Sequence, residues 1–350
     1  MSSFADALAN FKSNQKVRGK RKREVSSSSS SSKTSSCEGP PLTSIYKASL
    51  LGLKSHDYIT SLYASPPPKR TAHSLTLLFI IIDRLPHSNL WSTYISEITR
   101  HHPSLTVNVK IHAKHPSAVK DNFARQYLVP WSFEPQWGSV EITRAMIRLL
   151  EEGVDDFTSS DSGSSDTTGH KFVFVSESCI PIMDPAEVLR SLFPSDSGEK
   201  SWLTTRSTPN NGYAQQKQWD QMKDIESSCK RKSDQWMALS GREAKACVFA
   251  IREFEKVSPK AIPLWRLFNR TTASDELFFA TLLALLDLEQ YIEKRMITLV
   301  DWEGYTKNPR TFEARELKDV IKKGSTAGVL NARKFTEVNF DEWKRNVVKS

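Results

Sequence analysis

Cysteine is scarce in this 350-residue chain, with four residues and no pair at C-x-x-C spacing. That excludes a disulfide scaffold and the common zinc-finger patterns. Long apolar runs are missing too. The longest, Leu77–Ile82, is six residues, against the roughly 20 needed to span a bilayer. The first 40 residues contain no apolar stretch of the kind that a secretory signal needs. No G-x-G-x-x-G, P-loop, G-x-S-x-G or H-E-x-x-H occurs, so the usual dinucleotide, Walker, hydrolase-elbow and helical zinc-protease sites are not encoded. No Asp-x-Asp follows a predicted strand. The segment after Lys171–Val175 reads Ser-Glu-Ser-Cys instead, poor material for Mg²⁺ or Mn²⁺, which favour oxygen-rich ligand sets.

What is present is a soluble composition, 38% hydrophobic and 25% charged, with charge unevenly spread. The net charge is +9. Eight basic residues against Asp6, Glu24 and Glu38 give residues 1–40 a charge of +5, which leaves +4 for the other 310 residues. The body is nearly neutral, so a nucleic-acid partner is not expected. The segment KVRGKRKRE followed by a serine run has too few apolar residues to offset ordering entropy. Residues 1–70 are therefore expected to be a disordered basic, Ser-rich tail and linker, ending at PPPKR (Pro66–Arg70), and residues 71–350 a single folded domain. KRKR also fits a nuclear-import or polyanion-binding patch. A second surface loop is expected at Thr158–Gly169.

From residue 71 onward strand and helix patterns alternate. Leu75–Ile82 is a continuous apolar, β-branched run, as in a strand buried on both faces. Leu90–Arg100 has helical spacing, with Trp91, Tyr94, Ile95 and Ile98 on one side. Val107–His112 alternates like a strand. Val140–Glu151 is an amphipathic helix with Ile142, Ala145, Met146 and Leu149 inward, Lys171–Val175 a buried strand, and Ala186–Phe193 a short helix. The class is α/β, with a mostly parallel central sheet flanked by helices. Ligands collect beyond the carboxyl ends of such strands, which is where His112, Ser176 and Glu177 fall.

Eight phrases, in order, carry a resemblance. FVFVSESCIPI (Phe172–Ile182), IDRLPHSNLW (Ile82–Trp91), IHAKHPS (Ile111–Ser117) and QWGSVEITRAMIRLL (Gln136–Leu150) resemble signature segments of the core-2/I-branching β-1,6-N-acetylglucosaminyltransferase family, glycosyltransferase family 14, in its plant-type branch. So do KSDQWMAL (Lys232–Leu239), DELFFATL (Asp275–Leu282), ITLVDW (Ile297–Trp302) and NARKF (Asn331–Phe335).

The resemblance implies a GT-A-like fold and an inverting transfer from a UDP-sugar to a glycan or glycoprotein hydroxyl, with no cofactor and no metal. It implies that Glu276 is the catalytic base, and that Lys334 with Arg310 binds the donor diphosphate, where cations would stabilise the leaving group. Arg333 beside Lys334 is a second candidate. His112, Trp137 and Gly138 are implied to line the nucleotide site, and Glu177 and Trp302 the acceptor side. Glu177 equally suits bonding to backbone amides in a tight turn. Ser274 or Asp275 is expected to cap a helix over Leu277–Leu288. Glu276 would then lie in its first turn, where the helix dipole favours the ionised form.

Relatives are membrane-anchored in the Golgi, so Golgi location and membrane association are implied, although no anchor is visible here. Asn269-Arg270-Thr271 is a glycosylation sequon compatible with a secretory lumen. In that compartment Cys229 and Cys247 could pair. The donor sugar stays open between N-acetylglucosamine, xylose and glucuronate. A non-catalytic relative with a nuclear, polyanion-binding tail is the alternative from another class.

Overall fold

The structure, a computed structural model, describes residues 42–54, 56–64, 73–160, 169–194, 200–209, 215–302 and 308–348. The basic tail, PPPKR and residues 161–168 of the second expected loop lie outside the described residues.

Six strands form the central sheet: β1 (His73–Ile81), β2 (Leu105–Ala113), β3 (His170–Ser176), β5 (Ser201–Trp202), β6 (Ala238–Ser240) and β7 (Ile292–Glu293), in the order β2-β1-β3-β6-β5-β7. β1 pairs in parallel with both β2 and β3, and only β6 runs the other way. All seven residues of β3 are buried, as are Leu75, Leu77, Leu78, Phe79 and Ile81 of β1. Strands covered on both faces need this continuous apolar pattern.

Helix α3 (Ser88–His101) crosses from β1 to β2, and α4 (Val140–Ser160) comes before β3. The β1-to-β2 and β2-to-β3 crossovers run in opposite directions across the sheet, so right-handed connections place α3 and α4 on opposite faces. Trp91, Tyr94 and Ile98 of α3, and Ala145, Met146, Leu149 and Leu150 of α4, are buried. Ile95 and Ile142, also expected inward, pack on the core while staying partly exposed. Further on come α5 (Gly241–Val257) and α6 (Phe278–Leu285). A second, three-stranded sheet has the order β4 (Ile180–Pro181), β9 (Asn331–Arg333), β8 (Thr298–Val300), with α7 (Leu317–Ala327) and α8 (Phe340–Val347) beside it.

Three differences from the sequence reading stand out. Residues 42–63, expected in the linker, form helices α1 (Leu42–Lys54) and α2 (Asp57–Tyr63). Tyr46, Leu50 and Leu53 recur on one helical face and are buried in the core, and the Tyr63 hydroxyl donates to Glu243 of α5 at 2.9 Å. The helix expected over Leu277–Leu288 begins at Phe278, behind a separate 3-10 turn at Ser274–Glu276, and no side chain caps it. Cys229 and Cys247 are separate buried thiols, not a disulfide.

Candidate active site

The carboxyl ends of β1, β2 and β3 lie side by side, because their register pairs Ile80 with His112 and with Ser176. Just past β3, Glu177 accepts the Ile82 N–H at 2.6 Å through Oε2, so its carboxylate does bond a backbone amide. Burial raises the Glu177 pKa and Asp83 adds to this, while Arg333 and Arg84 oppose it. His112 is fully buried, with its ring near Trp131 and Phe133. Its Nε2 accepts the Phe133 N–H at 3.0 Å, which puts the neutral ring's proton on Nδ1. Burial pushes its pKa down to about 4, so the imidazole is uncharged at neutral pH.

Glu276 ends the 3-10 turn that precedes α6. The turn is held from three directions. The Ser274 hydroxyl hydrogen-bonds the Thr143 hydroxyl of α4 at 2.6 Å. The Ala273 N–H donates to the Gly138 carbonyl at 3.1 Å, and the Ser233 N–H to the Glu276 carbonyl at 2.8 Å. Gly138 sits at φ +69°, in the left-handed region that glycine adopts freely, so the Trp137-Gly138 turn braces the Glu276 turn directly. The Trp137 side chain itself is exposed.

The Glu276 carboxylate is ion-paired with Lys232, and the lysine is buried while the glutamate keeps a side-chain exposure of 23%. Burial raises the Glu276 pKa, Lys232 and Arg333 pull it down, and Asp234 pushes it up. Asp275 is buried, its Oδ1 has no hydrogen-bond partner among the described residues, and burial together with the Glu276 charge pushes its pKa up to about 7. The expected electrostatics are therefore corrected. Ser274 is bonded to Thr143 rather than capping a helix, and the ionised form of Glu276 is supported by Lys232 and Arg333, against a burial cost.

The cations come from β9 and the residue after it. Arg333 lies over the Trp236 ring at 4.8 Å, and its Nε is buried with no hydrogen-bond partner among the described residues. Its charge acts on Glu177 and Glu276 together. Lys334 follows, its pKa pushed down to about 8, first by burial and then by Arg333, with Glu177 opposing. Two contacts fix this strand end. The His87 ring bonds the Phe335 carbonyl at 3.1 Å, and the Phe335 N–H bonds the Ser178 carbonyl at 3.2 Å.

Arg310 sits on a neighbouring segment, joined to this one by the Phe312 N–H to Lys334 carbonyl bond of 2.8 Å. Its guanidinium pairs with Asp301 at 3.0 Å and Glu316 at 2.8 Å. Trp302, next to Asp301, is 43% exposed.

Glu177, Glu276 and Lys334 thus share one electrostatic cluster, whereas His112 belongs to an aromatic group at the end of β2. Sequence reasoning missed Lys232, Asp234 and Asp275. Lys232 and Asp234 lie inside KSDQW and Asp275 beside Glu276, so the phrases marked the neighbourhood without revealing the pairing. Among the described residues, no three His, Cys, Asp or Glu side chains are grouped to hold a metal ion, and no helix is long and apolar enough to cross a membrane.

An α/β fold with a mostly parallel sheet, and carboxylates and cations converging past its strand ends, fits a nucleotide-sugar transferase. The sequence profile described as "Branch: Core-2/I-Branching enzyme" matches residues 78–320. The chain belongs to that family of glycosyltransferases, which implies a nucleotide-sugar donor and a glycan acceptor. Lys334 lies past the matched residues. β9, which leads into it, nevertheless pairs between β4 and β8, both inside the match. No curated protein matches this sequence.

Proposed function

We propose that the protein is an inverting, metal-independent glycosyltransferase that moves a sugar, N-acetylglucosamine in the leading reading, from a UDP-sugar to a glycan hydroxyl. The carrying observation is the placement of Glu276, partly open to solvent, in one charge cluster with Arg333 and Lys334. The Glu276 carboxylate takes the proton of the acceptor hydroxyl as that oxygen attacks the anomeric carbon. The bond from that carbon to the diphosphate breaks on the opposite face, and its electron pair leaves with UDP. Lys334 and Arg333 take up the developing negative charge, the task a divalent cation performs elsewhere.

His112, with Trp137 and Gly138, is assigned to the nucleotide side, and Glu177 and Trp302 to the acceptor side, where an exposed indole offers a face to a sugar ring. Arg310 has both carboxylate partners close by and is assigned to bracing the Lys334 segment as well as to the diphosphate. Location in the Golgi lumen and membrane association are proposed on family grounds alone.

The test is calorimetric titration with UDP, in EDTA and again with Mn²⁺, on the wild type and Lys334→Ala. Binding indifferent to metal and lost in the variant supports the reading and justifies a donor screen over UDP-N-acetylglucosamine, UDP-xylose and UDP-glucuronate. Absence of binding in both conditions refutes it.

A further inference from the structure

Lys232 is among the most buried charged residues described, at 1% exposure. Its backbone is locked into a two-way bridge with Arg206, with N–H to carbonyl distances of 3.0 and 2.7 Å. The next N–H, from Ser233, holds the Glu276 carbonyl, while the Lys232 ammonium pairs with Oε2 of the same glutamate. One dipeptide therefore grips Glu276 at both its backbone and its side chain. Oε1 accepts no hydrogen bond from a described residue, and the carboxylate keeps its outward exposure.

We infer that Lys232 is a positioning residue: it fixes the Glu276 carboxylate by one oxygen and keeps it ionised, leaving the other oxygen to meet the acceptor hydroxyl. This rests on the reading of Glu276 as base. A base must be ionised before it can act, and burial works against that charge. The charged groups acting on Glu276 are Lys232 and Arg333, which favour the anion, and Asp234, which disfavours it. The neighbouring Asp275, itself raised to about 7 by burial and by the Glu276 charge, is protonated in the range where Glu276 takes up its proton. Of the two cations, only Lys232 is hydrogen-bonded to the carboxylate. Removing it leaves burial and Asp234 against a guanidinium that is not hydrogen-bonded to the carboxylate, a balance that favours the protonated, inactive form.

Three proteins test this: Lys232→Met, Lys232→Arg and Glu276→Gln. The first readout needs no substrate. Infrared titration of the wild type, with Glu276→Gln as the difference reference, follows the protonation of this carboxyl. The second readout is the pH profile of UDP release from UDP-N-acetylglucosamine. The inference expects Glu276 to be ionised at neutral pH in the wild type. The acid limb of the profile should move up by about one pH unit or more in Lys232→Met, and stay in place in Lys232→Arg. An unmoved limb in a folded Lys232→Met overturns the inference, as does a wild-type Glu276 already protonated at neutral pH. The latter outcome stands even if Lys232→Met fails to fold. Undiminished turnover by Glu276→Gln instead refutes the base reading, which separates the two failures.

Discussion

The indole Nε1 of Trp91 donates to the carbonyl of Cys179 across 3.0 Å, tying α3 to the loop that carries Glu177. Both residues are fully buried. The bond gives the tryptophan of IDRLPHSNLW a structural task, holding that segment to SESC. Phe fills most of the space but leaves a buried carbonyl unpaired, so Trp91→Phe is expected to cost about 1–2 kcal/mol. Trp91→Ala adds a cavity and should cost about 3–5 kcal/mol. Urea unfolding of both variants measures this, and a Trp91→Phe as stable as the wild type would dismiss the hydrogen bond's contribution.

Donor affinity should depend on pH through Lys334. Its ammonium loses its proton as pH rises through about 8, and only the charged form neutralises a diphosphate. UDP affinity is therefore expected to hold between pH 6 and 7.5, then fall by up to about tenfold per pH unit above 8. Calorimetry across that range checks the trend, and Lys334→Arg should flatten it, because a guanidinium stays charged.

His112 makes the fold acid-sensitive. Its pKa lies near 4 in the folded protein, below the ordinary 6.5, so the unfolded chain binds the extra proton between those values. Stability is then complete above pH 6.5 and declines as pH falls towards 4, by about 3 kcal/mol at most from this residue. Thermal melting at pH 7 and pH 5 should show the drop in the wild type, and a smaller drop in His112→Gln.

Asp275 works in the opposite direction. A carboxyl raised to about 7 is protonated in the fold where the unfolded chain has already released its proton. Stability is therefore lost as pH rises from about 4 to 7. Asp275→Asn removes this liability and is expected to stabilise the protein at pH 7.5 by on the order of 2 kcal/mol. A destabilised Asp275→Asn would show that the ionised carboxylate is needed for packing.

Arg310 and Arg333 are distinguishable by UDP binding. Arg333 is subject to the charges of Glu177 and Glu276, and its Nε has no hydrogen-bond partner among the described residues, while Arg310 is held by Asp301 and Glu316. Arg333→Ala should weaken UDP binding at least tenfold, a typical cost for a charge-assisted contact, and Arg310→Ala by less than Arg333→Ala. The reverse order would move the diphosphate site towards Arg310.

Local sequence was sufficient for the elements whose signal is local. The unbroken apolar runs of β1 and β3 can be read because strands buried on both faces admit little else. The inner faces of α3 and α4 follow from helical spacing, and seven of the eight phrases combine packing residues with a residue assigned to the site. The N-terminal helices α1 and α2 were less legible. They follow a tail with no apolar content, and their amphipathic pattern gains meaning only when α5 and α6 are present to cover it. The start of α6 was misplaced because Ser-Asp-Glu has the composition of a cap, and only Thr143, 131 positions away from Ser274, draws the serine elsewhere.

The charge state of the site belongs to the tertiary structure. Sequence named Glu276, Glu177 and Lys334. It did not show that Lys232, 44 positions from Glu276, is its ion-pair partner, nor that Arg333 acts on Glu177 and Glu276 at once. Pattern along a chain reports which side chains seek burial. Burial, and which charges share it, depends on how distant segments close over one another, and that closure sets the protonation of every group in the site.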